Sequence, residues 1–195
     1  TIDRGDFLPA TYNQMVIPSA WSRSNGAGVT IGLVDTGIDY IQPQLNAEFA
    51  TGMSDNGRTI TSTTRHGSVS FDFCGHGTHM ASAIAAPRDG RNIVGVAWGA
   101  NLFSVKVNDG VGLDGTHVTS TRLGIADAAA VSRIIVMAFG STTPWQSIAD
   151  EIAYWYHNHD RLFVAAAGTG APWAGVLFPA SEVTVTAVSG TSCDN

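Results

Sequence analysis

Phe73-Cys74-Gly75-His76-Gly77-Thr78-His79-Met80-Ala81-Ser82 sets an imidazole between two glycines at the first turn of a predicted helix over 77–86. The residues that follow (Ala81, Ala83, Ile84, Ala85, Ala86) are small or apolar and suit a helix buried on most sides. A ring at a helix N-terminus faces the positive end of the helix dipole, which favours the neutral form in which a general base starts. Such a base needs an anion to fix its tautomer and to stabilise the imidazolium that forms. Upstream, Val29-Thr30-Ile31-Gly32-Leu33-Val34-Asp35-Thr36-Gly37 delivers a carboxylate at the end of an apolar strand.

Outward from these segments, strands are expected at 29–35, 102–107, 133–139, 162–167 and 183–188, with further helices at 117–131 and 146–158. Several strands are continuous apolar runs, as expected when both faces of a sheet are covered. Alternating strands and helices imply a parallel sheet with helices on both sides, and chemistry then gathers beyond the carboxyl ends of the strands. Residues 1–27 read as a surface wrap with a short helix at 17–21, and 39–71 as irregular with room for a hairpin.

The chain has 195 residues, 44% of them hydrophobic, enough for one domain with a substantial core. A net charge of −6 with only 10 Lys and Arg argues against a phosphate-binding face, so nucleic acid is not expected as a partner. No apolar run is long enough to span a bilayer, and the N-terminus lacks a basic stretch followed by an apolar one. The expectation is a mature soluble chain. Cys74 and Cys193 leave one bridge, two free thiols or a bond to another chain open.

Asp35-Thr36-Gly37-Ile38-Asp39 and Gly75-His76-Gly77-Thr78-His79-Met80-Ala81 together resemble the first two signatures of the subtilisin-like serine proteases, with further matches from about Trp21 onward. Pepsin-like and retroviral aspartic proteases share Asp-Thr-Gly, but in an all-β fold that the alternation here excludes. The resemblance implies a three-layer α/β fold, mainly a parallel sheet with helices on both faces, and a single, incomplete catalytic domain over 1–195. It implies a serine endopeptidase, extracellular or secreted, in which Asp35 orients His76. The alternative is a catalytically impaired binding or sensing protein.

The third signature, Gly-Thr-Ser-Met-Ala on a helix, is not met. Gly190-Thr191-Ser192 matches its first letters, but Cys193-Asp194-Asn195 follows and the position is too early, so Ser192 reads as a lookalike. The serine is expected from a separate C-terminal chain, and peptides or proteins are the expected substrates. By resemblance the substrate pairs with Ala138-Phe139-Gly140 and Ala166-Ala167-Gly168, with Gly110 and Gly112 a looser match. Thr169 stands where the family usually has the oxyanion-stabilising Asn, whose loss costs about 3 kcal/mol. The resemblance also implies calcium near Gln44, Asp89, Arg91 and Ile93, in a loop poorer in carboxylates than the family's. A zinc reading of Cys74, His76 and His79 lacks a fourth ligand, and His79 is expected to be structural and internal.

Overall fold

The computed structural model describes residues 6–39, 54–55, 58–90, 92–110, 114–168 and 175–190. Its centre is a seven-stranded sheet. The strands are β2 (Thr30–Asp35), β3 (Ser54–Asp55), β4 (Arg58–Thr64), β6 (Asn101–Lys106), β7 (Ile134–Met137), β8 (Leu162–Ala166) and β9 (Val185–Val188), in the spatial order β3-β4-β6-β2-β7-β8-β9. All pairs are parallel except β3 with β4. The expected α/β fold with a mainly parallel sheet is therefore present. Two further strands, β1 (Asp6–Phe7) and β5 (Asn92–Ile93), pair with each other.

The expected strands and helices appear within a residue or two of their predicted ends. The Thr-rich segment 58–64 departs from expectation: besides forming the hairpin with β3, it joins the main sheet in register with β6, Ile60 opposite Leu102 and Thr64 opposite Lys106. Its alternation buries Ile60 and Ser62 while Thr61 and Thr63 stay half-buried, so hydrophobicity alone hides it. In the N-terminal wrap, α1 (Ala10–Gln14) and α2 (Ile17–Ala20) dock through Tyr12 Oη, which donates to Val94 O, and Trp21 Nε1, which donates to Val96 O, each at 2.8 Å.

The sheet divides the core in two. On one face α4 (Val118–Val131) and α5 (Gln146–His159) cover Val34, Val105, Ile135, Met137, Phe163 and Ala165. On the other, α3 (His76–Ala85) lays Ala81 over Ile31, Leu33, Ile60 and Leu102. The α3 side is incompletely covered among the described residues. Side chains alternate along each strand, so Ile134, Val136, Leu162, Val164 and Val188 share the α3 side of β7, β8 and β9. Leu162 is 45% and Val188 53% exposed, and Ile134, Val136 and Val164 are half-buried.

Candidate active site

Asp35 is the last residue of β2 and His76 the first of α3. His76 Nδ1 lies 2.8 Å from Asp35 Oδ1. A carboxylate can only accept, so Nδ1 carries the proton and Nε2 is the nitrogen left to take one. Asp35 is 2% exposed and the His76 side chain 23%, so the ring is not sealed inside. Thr36 N–H also donates to Asp35 Oδ1, at 2.7 Å. Asp35 Oδ2 is buried without a hydrogen-bond partner among the described residues, which leaves the imidazole as the main group balancing its charge.

The close approach of α3 to β2 demands a glycine after the histidine. A methyl on Gly77 would meet Gly37 O at 2.3 Å and Asp35 Oδ1 at 3.0 Å. Gly75, the N-cap, has φ +87°, a left-handed conformation that glycine adopts without strain.

The first turn of α3 leaves N–H groups without intrahelical acceptors, and a residue overlooked in the sequence satisfies them. Asp72, 4% exposed, accepts at Oδ1 from Thr36 Oγ1 and the N–H groups of Cys74 and Gly75, and at Oδ2 from Thr78 N–H and Thr78 Oγ1. Thr36 Oγ1 in turn accepts from Gly77 N–H at 2.9 Å, and Thr78 Oγ1 from Asp39 N–H at 2.8 Å. One carboxylate thus ties the segment carrying Asp35 to the turn carrying His76. An acidic residue four positions before a helix-starting histidine was the available signal.

The hydrogen bond that His76 donates to Asp35 raises the His76 pKa above the ordinary imidazole value; burial opposes this, and the negative charges of Asp35 and Asp72 add to it. The helix dipole, which favours the neutral ring, acts only over the first turn and is worth a fraction of a kcal/mol to about 2. Because the folded value is the higher one, the pair's contribution to stability is complete below about pH 6.5 and is lost as pH rises through the folded pKa. An NMR titration of the His76 ring is expected to show a midpoint above about 6.5; a midpoint at or below it contradicts the pairing.

Beside the site, buried Lys106 donates from Nζ to Phe71 O at 2.8 Å, pairs with Asp109 Oδ1 at 2.6 Å, and lies 5.1 Å from the centre of the Phe73 ring. Asp109 also meets His66 Nε2 at 2.9 Å. These contacts brace the loop that carries exposed Gly110.

Ala138–Gly140 follows the carboxyl end of β7 and Ala166–Gly168 starts at the last residue of β8, on the edge of the sheet that also holds Asp35. Phe139 is 5% exposed and packs its side chain in the core. Gln44, Arg91, Gly112, Thr169, Ser192 and Cys193 lie outside the described residues. Cys74 is exposed and free, and His79 is exposed rather than internal. Among the described residues, no group of three or more His, Cys, Asp or Glu stands close enough to hold a metal ion. Of the expected calcium positions, Asp89 supplies the one carboxylate, Ile93 is engaged in the β1–β5 pair, and Gln44 and Arg91 are outside the described residues.

With that geometry in place, residues 26–195 match the model of the subtilase family. The chain belongs to the subtilase family. It is 32% identical over 190 residues to a subtilisin of Bacillus sp. (strain TA39), covering 93% of this chain and 43% of that protein. It is 33% identical over 155 residues to thermitase of Thermoactinomyces vulgaris, covering 77% and 51%, and 28% identical over 193 residues to subtilisin BL of Lederbergia lenta, covering 96% and 65%. This subtilase chain thus spans less than two thirds of the length of these relatives.

Proposed function

We propose that this chain carries the aspartate–histidine half of the active site of a serine endopeptidase whose serine lies outside residues 1–195. The Asp35–His76 contact at 2.8 Å carries the proposal. Asp35 orients His76. Nε2 removes the proton from the serine hydroxyl as that oxygen attacks the scissile carbonyl, and returns it to the leaving amine; water then hydrolyses the acyl-enzyme. By family resemblance Thr169 takes the place of the oxyanion-stabilising asparagine, and the substrate chain pairs with 138–140 and 166–168.

Among the described residues the α3 side of β7, β8 and β9 is apolar and incompletely covered, which supports further structure packing there. Relatives described as extracellular proteases in Bacillus subtilis and Serratia marcescens support a secreted protein.

The test is incubation of the assembled protein with a serine-directed fluorophosphonate, followed by intact mass. Covalent labelling of a serine on the companion segment is expected, and Ser192 is expected to stay unlabelled. A folded protein that takes no label supports instead a binding or sensing protein, the reading favoured by Thr169 in place of asparagine.

A further inference from the structure

We propose that His66 and His117 are positioning residues whose ring contact ties together the two stems of the connection between β6 and α4, and so fixes where Gly110 is presented. Its effect on substrate rests on the reading of Gly110 as part of the cleft. The first stem, 107–110, starts beside the dyad, since Val107 N–H donates to Asp35 O at 2.9 Å. The second, 114–117, ends at His117, the N-cap of α4. His66 belongs to neither stem; it lies two residues beyond β4.

Each ring is bound to a carboxylate of one stem. His66 Nε2 lies 2.9 Å from Asp109 Oδ2, and His117 Nδ1 lies 2.9 Å from Asp114 Oδ1. Carboxylates accept, so both nitrogens carry protons and both rings are oriented. The rings then meet edge to face, with centres 5.0 Å apart and planes at 62°. A path of contacts, Asp109 to His66 to His117 to Asp114, therefore crosses from one stem to the other. Other bonds of these carboxylates stay within their own stretch: Asp109 pairs with Lys106, and Asp114 accepts from Thr116 N–H. At the base of the stems Ser120 Oγ bridges Val107 O and His117 O, at 2.8 and 2.9 Å. The two rings make a second tie above that one. His66 has a firm seat for this, because its N–H donates to Thr64 Oγ1 at 3.1 Å and its neighbour Arg65 donates from Nη2 to Asp127 Oδ1 of α4 at 2.6 Å. A surface ion pair alone adds little to stability, so the consequence of this arrangement is the spacing of the stems.

The test compares His66→Ala, His117→Ala, the double variant and His66→Gln in the assembled protein, with thermal unfolding to confirm that each is folded. Glutamine keeps a nitrogen donor in reach of Asp109. Hydrogen exchange of the 108–110 and 114–117 amides reads the tie without turnover. His66→Ala is expected to speed exchange in both stems by about tenfold, although only one of them touches its carboxylate partner; the double variant should be no faster, and His66→Gln should stay close to the unsubstituted protein. With blocked hexapeptide amides, each alanine variant is expected to raise KM by about tenfold and to leave kcat within about threefold, because Asp35 and His76 are untouched. Exchange unmoved in the 114–117 stem of His66→Ala, or additive effects in the double variant, overturns the tie. A loss of kcat at constant KM overturns the positioning role. A protein that takes no fluorophosphonate but shows the expected exchange in both stems forfeits the protease reading and keeps this one.

Discussion

Replacing His76 by alanine is expected to lower kcat by roughly 10⁶, the loss that follows when a subtilisin is deprived of its base. KM should change little, because the ring handles a proton in flight and does not hold the peptide. The companion substitution Asp35→Asn tests the geometry more finely. An amide nitrogen facing Nδ1 would donate where the carboxylate now accepts. The imidazole would then switch tautomer and carry its proton on Nε2, where it cannot accept another. A fall of about 10⁴ in kcat is expected for that change, with the fold intact. Single-turnover acylation measures both effects. Either variant retaining activity within tenfold of the unsubstituted protein would show that the Asp35–His76 contact of 2.8 Å is structural only.

Asp72→Ala is expected to destabilise the protein by roughly 3–5 kcal/mol, because it removes the acceptor of several buried donors at once. Thr36 Oγ1, Thr78 Oγ1 and the first N–H groups of α3 would be left without it. Asp72→Asn should recover little, since half of the amide would turn donors towards donors. Burial pushes the Asp72 carboxyl up, but the hydrogen bonds from Thr78, Thr36 and Gly75 outweigh it and hold the pKa below the usual carboxylate value. With the folded value the lower one, this contribution is complete above about pH 4 and fades as pH falls through the folded pKa. Denaturant unfolding at neutral and strongly acidic pH measures it. The gap between the two proteins should be wide at pH 7 and narrow in acid, and a gap of under about 1 kcal/mol at pH 7 would contradict the assigned role.

What could be read from the residues and what could not divides along physical lines. The apolar run ending in Asp35 and the Gly-His-Gly turn announced themselves because burial and backbone conformation each leave a local mark. Segment 58–64 left a weak one: its threonines favour a pleated surface, but its polarity resembles that of a loop. Asp72 left almost none, since its importance lies in partners at Thr36 and Thr78 that only the folded chain assembles. The environment of His76 is hidden in the same way: a helix end is visible in sequence, whereas the two carboxylates that raise the ring's pKa are brought near it only by the fold.

The stretch of sheet beside α3 that the described residues leave bare has an energetic bearing. Leu162 and Val188 keep apolar surface in water there, and anything that packs on them, whichever polypeptide supplies it, recovers roughly 25 cal/mol for each Å² withdrawn from solvent.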